Sequence, residues 1–179
     1  MPPLALHRYS TPLGTMAALW SRQGLCLLEF EQGTKGLERE WRAVVRHAGA
    51  EPQPCEDARS RALGEQLAAY FDGALTGFDL PLDLVGTPFQ HQVWQALLRI
   101  PSGQTRSYAE QANSIGRPAA VRAVAAANGA NKIALVVPCH RVIGSNGSLT
   151  GYGGGMPRKQ WLLALERGER EQPVPAVAG

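Results

Sequence analysis

The sequence predicts an α/β fold of the α+β kind: a small antiparallel sheet with helices first, then a mostly helical part. Three observations predict it. Residues 4–9, 16–20 and 25–30 are short apolar runs separated by the turn sequences Thr11-Pro12-Leu13-Gly14 and Ser21-Arg22-Gln23-Gly24. Thr87-Pro88-Phe89-Gln90 and Ser107-Tyr108-Ala109-Glu110 each pair a hydroxyl N-cap with a Gln or Glu three residues on, the mark of a helix start. Charge also divides the chain. Residues 1–86 hold 8 Lys+Arg against 11 Asp+Glu, while residues 87–167 hold 9 against 2.

In order, the three runs give an antiparallel sheet. Leu37, Trp41, Val44 and Val45 recur at helical spacing, which predicts an amphipathic helix over 34–47. Residues 49–56 read as a loop. Leu63, Leu67, Tyr70 and Phe71 mark a second helix ending near Gly73. Phe78, Leu80 and Leu82 alternate and suggest an edge strand. Residues 1–86 thus form a supporting domain with a linker, and nothing in them reads as catalytic.

Residues 87–167 form the second domain. A helix from Thr87 to Pro101 buries Phe89, Val93, Trp94, Leu97 and Leu98. A short helix follows Ser107, and a third is expected over 118–127, ended by a left-handed Asn128-Gly129. Two short helices joined by Gly116-Arg117-Pro118 make a helix-turn-helix pattern. The third helix exposes Arg122 among Ala119, Ala123 and Ala126. Alanines permit close approach to another surface, such as a minor groove, and the net charge of +7 over 87–167 favours a polyanion. Residues 133–137 read as a buried strand, ended by Pro138. Met156-Pro157 opens the last helix, with Trp161, Leu162 and Leu165 as its core face. Residues 168–179, rich in Pro, Ala, Gly and Glu, read as a disordered tail.

Chemistry concentrates after that strand, where Cys139 and His140 are adjacent. A thiol is nucleophilic as thiolate, an imidazole can take its proton, and a carboxylate can orient the imidazole. Glu166, at the unfavourable C-terminal end of a helix, is the candidate carboxylate and needs a specific partner. Extended neighbours point to opposite sides, so the backbone must bend for Cys139 and His140 to cooperate. Six glycines, Gly144, Gly147, Gly151, Gly153, Gly154 and Gly155, surround Tyr152 and let backbone amides approach a ligand. From residue types alone, a structural buried cysteine competes with a nucleophile. Cys26, in an apolar run, reads as a small core residue.

Three cysteines cannot all pair, and the start of the chain lacks a signal-peptide plan, so a cytoplasmic protein is expected. No apolar stretch approaches the ~20 residues of a membrane helix. No zinc-ligand spacing occurs, and no metal is expected.

Pro138-Cys139-His140-Arg141-Val142, with Asn131 upstream and Gly151-Tyr152 downstream, resembles the signature of the O6-alkylguanine-DNA alkyltransferases, the methylated-DNA–protein-cysteine methyltransferases. The likeness runs over 87–166, through Ser107-Tyr108, the Arg122 helix and Arg158-Lys159-Gln160-Trp161. It implies a ribonuclease H-like N-terminal domain and a winged helix-turn-helix-like C-terminal domain. It further implies a single-turnover enzyme of DNA repair without cofactor, a monomer whose partner is double-stranded DNA with alkylated bases. Cys139 would accept the alkyl group from O6-alkylguanine, or from O4-alkylthymine. His140 would deprotonate Cys139 through a water, and Glu166 would hold His140. Arg122 would fill the gap left by a flipped nucleotide, with Ala119, Ala123 and Ala126 in the minor groove. Tyr108 would lie near the duplex backbone and protonate the leaving guanine. Asn131 would tie the recognition helix to the active-site turn, and Val142, Tyr152 and Gly153 would read the base. Family members often carry Ser or another small side chain where Gly153 stands, so only a backbone contact is carried over there.

The residues also admit a DNA-binding module that senses alkylguanine without accepting the group, a thiol hydrolase or redox protein, and a transcription factor. Non-transferring relatives carry another residue at the cysteine position, and no second cysteine lies near Cys139 for redox work.

Overall fold

The computed structural model describes residues 1–169 and 173–175. Three strands, β1 (Leu4–Thr11), β2 (Gly14–Ser21) and β3 (Leu25–Phe30), form an antiparallel meander. The first hairpin closes at Thr11↔Gly14, where Gly14 adopts φ 117°, a conformation that needs glycine. A two-residue strand, β4 (Gln53–Pro54), adds in parallel to β1 within the loop expected over 49–56, giving the order β3-β2-β1-β4.

Alternation along the strands buries both faces of the sheet. Leu4, Leu19, Cys26 and Leu27 meet helix α1 (Leu37–Ala48) through Val44. Ala5, Tyr9, Met16, Ala18, Trp20, Leu28 and Phe30 enter the main core with Leu63, Leu67 and Tyr70 of α2 (Ala58–Phe71). The first helix starts later than the expected 34–47 because left-handed Gly36 precedes it.

Both helix-start signatures form as read. Thr87 and Gln90 cap α3 (Pro88–Leu98). Ser107 and Glu110 cap α4 (Tyr108–Ser114). The structure departs from the sequence-based expectation elsewhere, and Leu98, expected in the core stripe of α3, is exposed. First, α5 spans Val121–Gly129, so Ala119 lies in the turn before it and Gly129 ends it without a left-handed φ. Asn128 is unavailable for a left-handed cap, because it exchanges two hydrogen bonds with Gln111 of α4 at 2.7 and 2.9 Å. Second, residues 133–137 are not a strand. Only Ile133 bridges the edge of β3, at Leu28. The chain then coils, with Val137 N–H donating to Ile133 O at 3.0 Å. Asn131 takes the place of a ladder: its Oδ1 accepts from Ile133 N–H at 2.9 Å and its Nδ2 donates to Val137 O at 2.8 Å. Leu135 has φ 68°, the one positive value at a non-glycine among the described residues, costing about 1 kcal/mol. Third, the edge strand suggested by Phe78, Leu80 and Leu82 reduces to one bridge, Leu25↔Leu82, next to Pro81, which lacks a donor.

A turn of 3-10 helix, Cys139–Arg141, follows Pro138. Strands β5 (Arg106–Ser107) and β6 (Val142–Ile143), neither foreseen, pair in parallel and join α4 to this turn. The last helix is α6 (Met156–Glu166). Of the expected tail, residues 170–172 and 176–179 lie outside the described residues. Among the described residues no helix is long and apolar enough to cross a membrane.

The N-terminal sheet and the cysteine segment are clamped together. Besides the Leu28–Ile133 bridge, Lys132 Nζ meets Glu40 Oε2 of α1 at 3.0 Å, with both side chains under a tenth exposed. Removing one partner of a buried pair strands the other's charge. Lys132→Met alone is therefore expected to lose about 3 kcal/mol of stability, and Lys132→Met with Glu40→Leu to regain much of it. Urea unfolding of the two variants tests this, and an equal loss in both would mean the pair is uncoupled.

Candidate active site

Cys139 opens the 3-10 turn, in which successive side chains diverge by about a third of a turn. That bend lets neighbours serve one site. The half-buried Cys139 faces Asn131, whose Nδ2 donates to its Sγ at 3.2 Å. Burial pushes the thiol up to about 11, against the lowering contact from Asn131. The resting thiol is therefore protonated, and its activation needs a base.

His140 is fully buried, and its Nε2 lies 2.8 Å from Glu166 Oε2. Burial lowers the imidazole below its ordinary value despite the Glu166 carboxylate, so the ring is neutral near pH 7. A carboxylate only accepts, which puts the proton of the neutral ring on Nε2. Nδ1, with no partner among the described residues, is left as the acceptor.

Glu166 is gripped from three sides. Arg141 donates Nε to Oε1 at 2.8 Å and Nη2 to Oε2 at 2.9 Å. Its Nη1 donates to Ile100 O at 2.6 Å. Tyr70 of α2 donates its hydroxyl to Oε2 at 2.7 Å. Burial alone would raise the carboxyl, but the hydrogen bonds from His140 and Arg141 override it and hold Glu166 well below the usual carboxylate range.

The glycine loop is held by a separate set of hydrogen bonds. Lys159 of α6 is fully buried and donates to Val142 O at 2.6 Å and Thr150 O at 2.7 Å. Desolvation lowers it to about 8. Tyr108, at the start of α4, donates to Thr150 O at 3.2 Å. Arg158 donates to Gly154 O, Leu13 O and Gln32 O, and Gly153 O accepts from Lys35 N–H at 2.8 Å. The buried hydroxyl of Tyr152 has no partner among the described residues. Glu29 of β3, pushed up to about 8 by burial, lies near enough to Cys139 and Tyr152 to raise both.

The exposed face around α5 holds Arg122, Ala123 and Ala126, with Ala119 exposed in the turn before it, while Val124 and Ala127 are core. Trp94 Nε1 donates to Ala127 O at 2.9 Å and fixes this helix on α3.

Comparison with known proteins decides the family. Residues 88–168 match the family model of the 6-O-methylguanine DNA methyltransferase DNA binding domain, and residues 5–84 that of its ribonuclease-like domain. A methylated-DNA–protein-cysteine methyltransferase of Salmonella typhimurium is 47% identical over 162 residues, 89% of this chain and 94% of its own length. The chain belongs to the methylated-DNA–protein-cysteine methyltransferase family. A member from Mycolicibacterium paratuberculosis is 67% identical over 103 residues, 58% of this chain and 62% of that protein's length, so the match spans less than two thirds of that relative. The crystal structure of Mycobacterium tuberculosis OGT in complex with DNA superposes with a TM-score of 0.77 at 44% identity, covering 96% of each chain.

The structure of this family member pairs Asn131 with Cys139 and Glu166 with His140, and the two pairs meet only through the 139–140 peptide link. Tyr108 is linked to the glycine loop, 42 residues away in sequence, and Val142 supplies a carbonyl to Lys159. The side chains of Arg122, Ala119, Ala123 and Ala126 stand apart from these residues, on the exposed face. The sequence pattern gives no role to Arg141, Tyr70, Lys159 or Glu29. Buried polar residues without a nearby partner in sequence are the available signal for Lys159 and Glu29. Tyr70 gives none, because in sequence it belongs to a helix's apolar stripe.

The depressed Glu166 carboxyl contributes stability at pH values above the unfolded value of about 4.3, and that contribution is lost as pH falls towards the folded value. Glu166→Gln is expected to cost about 3 kcal/mol at neutral pH and to weaken the loss of stability on acidification. Urea unfolding at neutral and acid pH reads both effects; unchanged acid sensitivity would mean that Glu166 does not carry it.

Proposed function

We propose that this protein repairs DNA by moving a methyl or other alkyl group from O6-alkylguanine in a duplex, or from O4-alkylthymine, irreversibly to Cys139. The observation that supports the reading most is the orientation of His140. Its Nε2–H is engaged by Glu166, which leaves Nδ1 as an acceptor on the residue that follows Cys139 in the chain. Residues 1–86 act as the supporting domain and 87–167 as the DNA-binding and acceptor domain. Three free cysteines suit a reducing compartment, and we assign the protein to the cytoplasm as a monomer.

An alkyl group on guanine O6 is buried in the base stack, so the nucleotide must leave it, at a cost of a few kcal/mol. Arg122 takes the vacated place while Ala119, Ala123 and Ala126 allow the minor groove to approach. Val142, Tyr152 and Gly153 hold the base. His140 Nδ1 takes the thiol proton through a water. The sulfur then attacks the alkyl carbon, the S–C bond forms as the C–O6 bond breaks, and the electron pair leaves with the guanine. Tyr108 supplies the proton the guanine needs. The thioether has no good leaving group, so each molecule acts once.

Incubation with a duplex carrying O6-methylguanine is expected to add one methyl group per protein, located on Cys139 by peptide mass spectrometry. An unmodified Cys139 with all lesions intact overturns the reading. Arg122→Ala is expected to slow repair of the duplex about tenfold or more while sparing reaction with the free alkylated base, since only the duplex reaction includes unstacking. Equal losses on both substrates would remove Arg122 from that role.

A further inference from the structure

The cluster around Glu166 includes one residue from the N-terminal half. Tyr70 lies on α2, 96 residues before Glu166 in sequence, is 2% exposed, and donates its hydroxyl to Glu166 Oε2 at 2.7 Å. The same oxygen accepts from His140 Nε2 at 2.8 Å and from Arg141 Nη2 at 2.9 Å. The ring is held independently of that bond: it meets Phe71 edge-on and Phe78 at a tilt, each with centroids 5.4 Å apart. The hydroxyl is thus delivered by core packing to one lone pair of the carboxylate that orients the base.

We propose that Tyr70 is a positioning residue for the acceptor reaction, its hydroxyl fixing the Glu166 oxygen that orients His140, so that the N-terminal half completes the proton relay. This rests on the alkyl-transfer reading above. The physical sense is a division of the carboxylate's charge. Oε2 divides its electron density among three donors. Each additional donor leaves less of that density to stabilise a protonated imidazole. The charged or titratable groups facing this cluster are Glu166 and Lys159 from α6, His140 and Arg141 from the turn, Tyr70 from α2 and Tyr152 from the glycine loop. Among the described residues only Tyr70 is a neutral donor to the carboxylate from the opposite half of the chain.

Removing the hydroxyl has two signed consequences. The carboxylate turns more freely, so transfer slows. Its undivided charge stabilises the imidazolium more, so the acid limb of the rate profile moves to higher pH. Strengthening the donor moves that limb to lower pH.

The test is single-turnover transfer from a duplex carrying O6-methylguanine, followed across pH for the wild type, Tyr70→Phe, and protein with 3-fluorotyrosine placed at position 70. Tyr70→Phe is expected to slow transfer about tenfold or more, the loss of one hydrogen bond to a charged group, with unchanged affinity for the duplex. Its acid limb should move up in pH and that of the fluorotyrosine protein down. Nitrogen-15 NMR of His140 should show the same two shifts without substrate. Unmoved or like-signed shifts in the two variants, with wild-type transfer intact, would overturn the proposal and reduce Tyr70 to a packing residue. Absence of transfer from the wild type would instead overturn the alkyl-transfer reading, and this proposal with it.

Discussion

A carboxylate with almost no exposure sits at the end of α6, where the helix dipole opposes it. Glu166 survives there because the bidentate Arg141 guanidinium supplies a full opposite charge, and because Tyr70 and His140 occupy its remaining acceptor capacity. Arg141 is itself anchored on Ile100 O, at the end of the segment that follows α3. One buried anion therefore joins α2, the segment after α3, the cysteine turn and α6. Burying ions is costly, and such clusters hold only when each charge is paired. The local charge sums to zero with His140 neutral, which is the form a base needs. A proton arriving on Nδ1 would make an imidazolium directly bonded to a carboxylate already in place, so the charge appears where it is compensated.

The other side of the cysteine turn follows a different logic. Lys159 and Arg158 spend their donors on backbone carbonyls of Val142, Thr150, Gly154, Leu13 and Gln32 rather than on carboxylates. Carbonyl acceptors fix the path of a glycine-rich loop that has few side chains of its own to pack. Burial lowers Lys159 to about 8, which weakens its hold on the loop as pH rises through that value. The cysteine turn thus carries His140 into an anion-centred cluster, while a cation-centred one fixes the glycine loop that follows.

Much of this is legible in the sequence where the signal is local. Capping residues three apart, such as Thr87 with Gln90, act within one turn, and both boxes form. A glutamate at a helix C-terminus is wrong for the dipole, which is why Glu166 demands a partner. What fails depends on distant pairing. Residues 133–137 have the apolar, β-branched look of a strand, yet a strand needs a neighbour along its length, and only Leu28 bridges Ile133. Asn131 closes the coil instead, by bonds that no periodicity encodes. Tyr70 is hidden for a related reason: a tyrosine in an apolar stripe shows its ring to the pattern and its hydroxyl only to the fold.

That coil is what makes the site workable. A continuous strand would have carried Cys139 and His140 to opposite faces of a sheet. The positive φ at Leu135 and the tight bond from Val137 to Ile133 shorten the segment, and Pro138 turns it into the 3-10 turn. Cys139 then reaches the rim, half-buried, while His140 one residue later remains fully buried against Glu166. The strained turn is held by the Leu28–Ile133 bridge and the Lys132–Glu40 pair, both rooted in the N-terminal half. The N-terminal half of the chain is therefore what lets a thiol and an imidazole occupy adjacent positions in different environments.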